Sequence, residues 1–268
     1  MEISDQHKVA LVTGGSSGIG YEIARELARR KYNLILVSNQ DQQLTESCAL
    51  ITSTYQVTTW PVLMDLTLAE SPIKLYEWCQ NEKIEVEVLV NNAGMFFFGE
   101  VVETDLIKVQ AIISLHTATP VALCTLFGKA MKKRRSGHIL NISSIAADLP
   151  YPGIVLYSST KRFLKSFSRA LRTEMLDYQV NVTCVTPGAV STNLYDLDES
   201  KRKLALKLGI MIHPEKLAPR IVQTMFRRKS LVIPGFLNRI FMPLLLLIPH
   251  GTIAFIRRHS KFLPLEKS

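Results

Sequence analysis

Thr13-Gly14-Gly15-Ser16-Ser17-Gly18-Ile19-Gly20 follows the apolar run Val9-Ala10-Leu11-Val12. It precedes a segment in which Ile19, Ile23 and Leu27 share one helical face, with Ala24 and Ala28 beside them. The glycines therefore sit where a buried strand turns into a helix. Without Cβ the backbone there can approach a ligand closely, and the first N–H groups of the helix are unpaired, so the turn suits an anion. The usual anion in such a turn is the pyrophosphate of a dinucleotide. An ordinary strand-to-helix turn carries the same glycines, so the rest of the chain decides between the two readings.

Outward from this turn the pattern alternates. Residues 8–13 read as strand and 18–30 as helix. Strand 33–37 is followed by helix 41–54, strand 59–64 by helix 70–82, and strand 86–90 by a long helix over 105–134. Strand 138–142 leads to helix 155–178, with Phe163, Phe167, Ala170, Leu171 and Leu176 as expected core positions. Strand 180–185, helices 199–208 and 214–228 and strand 231–233 complete the series. Strands alternating with helices at this spacing imply right-handed βαβ units and a parallel sheet. The strands are short continuous apolar runs, as expected when both sheet faces are covered. The fold class is α/β, a doubly wound sheet of about seven strands, with residues 1–233 as one domain and 234–268 as a tail. In such folds the ligand lies beyond the carboxyl ends of the strands. The singular features fall there: the glycine turn, Asn39, Asp65, Asn91-Asn92-Ala93-Gly94, Ser144 and Pro187-Gly188.

Composition bounds the function. With 268 residues, 47% apolar and 21% charged, the chain is globular and can bury a full core. Cys48, Cys79, Cys124 and Cys184 are widely spaced without a CxxC pair, which suits buried thiols in a reducing cytosol and neither a disulfide frame nor a zinc site. Met1 to His7 is polar and lacks the layout of a secretory signal, so a cytoplasmic location is expected. The net charge of +9 is concentrated in runs such as Lys132-Lys133-Arg134-Arg135 and favours an anionic cofactor or lipid surface if it is more than solvated surface. No aromatic interleaving or nucleic-acid motif accompanies it, so nucleic acid is not expected as a partner.

Tyr157 and Lys161 stand at i and i+4 on one helix and share a face. A phenol with a pKa near ~10 exchanges protons poorly at neutral pH, and a neighbouring ammonium lowers that value. The pair is a candidate acid/base for interconverting a carbonyl and an alcohol. Ser144 ends the preceding strand and can hydrogen-bond the oxygen that Tyr157 protonates.

Together the glycine turn, Asp65, Asn91-Asn92-Ala93-Gly94, Asn141-Ile142-Ser143-Ser144, Tyr157 with Lys161, and Pro187-Gly188 make the sequence resemble the short-chain dehydrogenase/reductase family over about residues 8–233. The resemblance implies a Rossmann-type fold and NAD(P)-dependent oxidoreduction. It implies Tyr157 as proton donor and acceptor, Lys161 as ribose ligand and electrostatic partner, and Ser144 as substrate positioner. The cofactor contacts it implies are Gly14, Ser16, Ser17, Gly18, Ile19, Gly20, Ser38, Asn39, Asp65, Leu66, Asn91, Ala93, Gly94, Tyr157, Lys161, Pro187, Gly188, Val190 and Thr192. Asp65 would meet the adenine and Asn91 the adenosine side, with Pro187, Gly188 and Thr192 at the nicotinamide. The family's long helix usually carries an asparagine that opens it and holds a proton-relay water. Counting back from Met131 places His116 there, and an imidazole can donate at one nitrogen and accept at the other, so His116 is expected to hold that water.

The second strand ends in Val37-Ser38-Asn39, with no carboxylate to repel a 2′-phosphate and no arginine to bind one. NADP is the expected cofactor, with NAD not excluded, and Ser16, Ser38 and Asn39 would hydrogen-bond the phosphate. No metal is expected. Met95-Phe96-Phe97-Phe98, Leu149, Tyr151 and Leu156 suggest a small hydrophobic carbonyl or alcohol, such as an acyl-chain or sterol-like compound. Pro234 to Leu265 is apolar and basic, and Pro243 and Pro249 interrupt runs too short to span ~30 Å of hydrocarbon. Two short amphipathic helices fit, acting as a lid, a contact within a homo-oligomer or a peripheral membrane foot. The rival reading is a dinucleotide-binding sensor or scaffold whose catalysis has decayed, against which Ser144, Tyr157 and Lys161 all argue.

Overall fold

The computed structural model describes residues 8–149, 151–192, 194, 198–232, 234, 249, 251–253 and 255. Nine strands and eight α-helices are described among them, in the order β1 (Val9–Thr13), α1 (Gly18–Arg29), β2 (Asn33–Ser38), α2 (Asp41–Tyr55), β3 (Thr59–Leu63), α3 (Ser71–Asn81), β4 (Val86–Asn91), α4 (Leu106–Ile113), α5 (Thr119–Arg134), β5 (Gly137–Ile142), α6 (Val155–Met175), β6 (Val180–Val185), β7 (Ala189–Val190), α7 (Glu199–Lys207), β8 (Met211–Ile212), α8 (Pro214–Phe226) and β9 (Leu231–Val232). Seven strands form one parallel sheet in the order β3-β2-β1-β4-β5-β6-β9. The order reverses between β1 and β4, and a cleft opens where connections leave in opposite directions.

Alternation along the strands divides the core in two. Ala10, Val12, Leu34, Leu36, Val88 and Val90 point to the face covered by α1, α2 and α8, through Ile23, Leu27, Leu44, Ile51, Ile221 and Met225. Val9, Leu11, Ile35, Val37 and Leu89 point to the other face, against Leu75, Leu123, Phe127, Met131 and Met175. Both faces being dry explains why β1 and β2 read as unbroken apolar runs.

Local chemistry sets the element ends. Lys31, Gln56 and Arg135 adopt left-handed backbone just past α1, α2 and α5. Asp105 caps α4 by accepting from Ile107 N–H at 2.7 Å. Pro72 is tolerated in the first turn of α3.

The long helix read over 105–134 is interrupted. A π-helical segment, Ser114–Ala118, joins α4 to α5. Pro120 is the cause: it has no N–H to offer the carbonyl of His116, four residues earlier. The stretch Leu106–Arg134 is long and apolar enough to cross a membrane, but it includes core residues Leu123, Phe127 and Met131, packed on the sheet.

Two expectations need correction. In α6 the inward face runs through Tyr157, Lys161, Leu164, Ser168 and Met175, while Phe163, Ala170 and Leu176 are exposed. Phe167 and Leu171 are partly buried on the core as expected, and Phe163 stacks on Phe167 from outside. Apolar periodicity points to the phenylalanines, whereas the inner face is largely polar, with Tyr157, Lys161 and Ser168 among its buried side chains. The pair β7–β8 was also missed, because two-residue strands carry no periodicity. The helices expected in the tail lie outside the described residues, apart from a few positions at 249–255.

Candidate active site

The glycine turn is built by β1 and stapled to the loop after β4. Gly14 has φ +64°, and a Cβ there would stand 2.9 Å from Ala93 Cα. Thr13 Oγ1 accepts from the N–H groups of Asn92 and Ala93 at 2.9 and 3.0 Å, while Asn92 Nδ2 donates to the carbonyls of Thr13 and Gly14. Gly20 packs inside this staple: a Cβ would lie 2.1 Å from Gly14 O. It is thus a close-packing glycine of α1 and does not line the cleft, which corrects its expected role as a cofactor contact.

The cleft beyond the strand ends encloses about 540 Å³. Its lining gathers the expected Gly14, Ser16, Ser17, Gly18, Ile19, Ser38, Asn39, Asp65, Leu66, Ala93, Gly94, Ser144, Tyr157, Lys161, Pro187, Gly188, Val190 and Thr192. Ser17, at the N-terminus of α1, makes no side-chain cap, and the first turn holds no acid. The first N–H groups of α1 thus have no side-chain cap, Ser17, Gly18 and Ile19 line the cleft, and a Cβ at Gly18 would stand 3.0 Å from Thr192 Cγ2. These features fit a pyrophosphate, so the residues present suit a dinucleotide.

Asn91 departs from expectation. Its amide donates to Asn141 Oδ1 at 2.8 Å and to Cys124 Sγ at 3.3 Å, beneath the cleft floor. Asn141 in turn donates to Ser168 at 2.9 Å. Asn91 is therefore part of a buried polar bridge between β4, β5 and α6, and Asn92 lines the cleft in its place. Ser16 and Ser38 line the cleft; their hydroxyls bond each other at 2.8 Å and Ser38 Oγ accepts from Gln40 N–H at 3.1 Å, which leaves one hydroxyl proton of the pair free to donate. Gln40, Gln43, Thr67, Met95, Phe96, Leu115 and Leu194 join the lining without having been expected as cofactor contacts. Gln40 and Gln43 could have been found: they flank the start of α2, directly after Asn39.

At the other end of the cleft β5 and α6 bring three side chains together. Ser144 leaves β5 and caps a short 3-10 turn, its Oγ accepting from Ala146 N–H at 3.1 Å. Asp148 ends that turn and accepts from Arg162 and Lys165, clamping the Ser144 loop onto α6. Tyr157 and Lys161 face the cleft one turn apart, with the Lys161 ammonium 5.8 Å from the Tyr157 ring centre. Lys161 is buried, and desolvation pushes its pKa down to about 8. Phe96 packs edge-on against Tyr157 at 4.9 Å, within a cluster with Met95, Phe97, Ile154 and Leu156.

His116 does not line the cleft and is 1% exposed. Its Nε2 accepts from Met95 N–H at 3.0 Å, and its Nδ1 lies 3.0 Å from Thr160 Oγ1. Both nitrogens are used by the protein, so the imidazole does not hold the expected water. Burial, then the Lys161 charge, hold its pKa well below the ordinary histidine value.

The sequence profile of the family described as short chain dehydrogenase matches residues 8–203. The chain belongs to the short-chain dehydrogenase family. An "NADP-dependent 3-hydroxy acid dehydrogenase" of Schizosaccharomyces pombe is 30% identical over 232 residues, 84% of this chain and 90% of that protein. The "Very-long-chain 3-oxoacyl-CoA reductase" of Mus musculus is 33% identical over 190 residues, which cover 69% of this chain and 60% of that protein. The structure of a short-chain dehydrogenase from Sphingobium yanoikuyae in complex with NADPH superposes with a TM-score of 0.78 at 24% identity, covering 95% of this chain and 97% of that one; at that identity the likeness is one of fold. The chain is an oxidoreductase of the short-chain dehydrogenase family, with the family's Rossmann-type sheet.

Proposed function

We propose that this short-chain dehydrogenase interconverts an apolar carbonyl compound and its alcohol with NADP as the preferred cofactor. The observation that carries the reading is the convergence of Ser144, Tyr157 and Lys161 on one end of a cleft whose other end is the glycine turn. When bound, the nicotinamide supplies or accepts the hydride. The chain handles the oxygen. Ser144 Oγ donates to the substrate oxygen and orients it, and Tyr157 Oη gives that oxygen a proton during reduction or takes it during oxidation. The Lys161 ammonium favours the phenolate and so eases both directions.

Cofactor preference rests on the wall around the second strand. Ser17, Asn39, Gln40 and Gln43 line it, all neutral, so no carboxylate repels a 2′-phosphate. The fission-yeast relative, named for NADP dependence, supports the same choice. Met95, Phe96 and Leu194 make the substrate end apolar, which favours an acyl-chain or sterol-like substrate. Leu106, Ile107 and Ile113 of α4 and Phe163 of α6 are exposed apolar side chains, which supports a homo-oligomer. The four buried free cysteines suit a reducing, cytoplasmic setting. The tail composition favours peripheral contact with an anionic membrane.

The test is consumption of NADPH and NADH against aliphatic, aromatic, sterol and 3-oxoacyl thioester carbonyls, with Tyr157→Phe as control. Turnover of an apolar member with NADPH that is lost in Tyr157→Phe supports the reading. Equal turnover in Tyr157→Phe overturns it.

A further inference from the structure

His116 occupies the one place where the long helix is opened, and its ring bridges two elements of the site. On one side the ring touches the loop after β4: Nε2 accepts from Met95 N–H, and a Cβ on Gly94 would stand 3.0 Å from Nε2 and 3.6 Å from Lys161 Nζ. On the other side it meets α6 at Thr160, the residue just before Lys161 and one turn from Tyr157. The ring also lies edge-on to the Tyr157 ring at 5.7 Å.

The hydrogen-bond directions fix the tautomer. A backbone N–H can only donate, so Nε2 carries no proton, and the neutral ring holds its hydrogen on Nδ1. The Thr160 hydroxyl sends its own proton to the carbonyl of Leu156 at 2.8 Å or Tyr157 at 3.1 Å, and is left to accept from Nδ1. The donors therefore run in one direction, from Met95 N–H through the imidazole and Thr160 into the backbone of α6. A protonated ring would present a second N–H to Met95 N–H and break the bridge. The charged group facing the ring is Lys161, whose field opposes that protonation.

We propose that His116 is a positioning residue for the reaction: a neutral bridge that locks the Gly94-Met95 loop to α6 and so sets where Tyr157 and Lys161 stand over the cleft. The imidazole acts through its hydrogen bonds to Met95 and Thr160, which occupy both ring nitrogens. The proposal rests on the reading of Tyr157 and Lys161 as the reacting pair.

Three variants separate its contacts. His116→Phe keeps the ring volume and removes both bonds. His116→Gln places an amide oxygen near the Nε2 position, so it retains an acceptor for Met95 N–H. Thr160→Val leaves the histidine and removes its acceptor. Turnover is read with NADPH and the apolar probe 9,10-phenanthrenequinone, cofactor affinity by NADPH fluorescence, and the ring state by imidazole 15N resonances assigned through the His116→Gln protein. The expected result is kcat lowered about tenfold or more in His116→Phe, with KM and NADPH affinity held within about threefold, and most of kcat restored in His116→Gln. The 15N pattern should be that of a neutral, Nδ1-protonated ring at neutral pH and still below the ordinary histidine midpoint.

Wild-type kcat in His116→Phe overturns the proposal, as does an imidazolium or Nε2-protonated ring at neutral pH. If His116→Phe does not fold, Thr160→Val decides: a lowered kcat at unchanged NADPH affinity supports the bridge, and wild-type kcat overturns it. If the probe is not turned over by the wild type, the 15N pattern decides. Retained turnover in Tyr157→Phe would sink the underlying reading, whereas an inactive Tyr157→Phe with unaffected His116 variants would sink the bridge alone.

Discussion

The Lys161 ammonium donates to the carbonyl of Ile142 at 3.0 Å, tying the middle of α6 to the end of β5, two residues before Ser144. A second tie runs beside it, from Ser143 Oγ to the carbonyl of Lys161 at 2.7 Å. The helix that carries Tyr157 and Lys161 and the segment that carries Ser144 are thus fastened at the same level.

That placement has a measurable pH signature. The buried ammonium titrates near 8 in the folded protein, from a reference value of 10.5. Below pH 8 both folded and unfolded chains hold the proton, and the fold carries the whole cost of burying the charge. Between 8 and 10.5 the unfolded chain binds more protons, so stability rises with pH. The contribution of this residue to that rise is about 3 kcal/mol. Urea unfolding of the cofactor-free protein from pH 7 to about 11 should show Lys161→Met losing its stability advantage over wild type as pH rises from about 8 to 10.5. A constant difference across that range would show that the ammonium is not desolvated.

Gly20 and Gly209 make opposite predictions for the same substitution. Gly20→Ala drives Cβ into Gly14 O and Asn92 Nδ2, at 2.1 and 2.4 Å, so turn and staple must both move. It should cost about 3 kcal/mol or more and abolish NADPH binding. Gly209 has φ +70° and nothing within 4 Å of a built Cβ, so Gly209→Ala should cost only about 1 kcal/mol, from backbone strain. Thermal unfolding of both variants checks the ranking.

Cofactor choice should respond to Asn39, which directly follows β2 and lines the cleft. Asn39→Arg adds a charge-assisted bond to a 2′-phosphate and should tighten NADPH about tenfold. Asn39→Asp should reverse the preference toward NADH. Titration of cofactor fluorescence measures both, and unchanged selectivity in both variants would place the 2′-phosphate elsewhere.

Phe96 is expected to set the substrate end. Its edge-to-face contact with Tyr157 contributes about 0.5–1.5 kcal/mol beyond burial. Phe96→Ala should raise KM for an apolar carbonyl about tenfold, with a smaller loss in kcat, and leave NADPH affinity unchanged. An unaltered KM would move the substrate away from this ring.

The sequence by itself determined the sheet, the glycine turn and the shared helix face of Tyr157 and Lys161, because these depend on local rules; that Ser144 lines the same cleft was decided by the packing of α6 on β5. Continuous apolar runs such as Val9 to Val12 mark strands covered on both faces, and an i,i+4 pair shares a helix face whatever surrounds it. Asn91, Gly20 and His116 were placed in the site by motif or by counting, and tertiary packing decided their roles. Asn91 turns under the floor because Asn141 on the neighbouring strand offers it a buried acceptor. Gly20 is small because the Gly14 carbonyl passes over it. His116 lies where Pro120 opens the helix, a relation legible in the chain, but its partners Met95 and Thr160 are 21 and 44 residues away. No local pattern encodes hydrogen bonds of that span. They exist because the fold brings the loop after β4 and α6 to the same side of the opened helix, where the buried imidazole bonds to both.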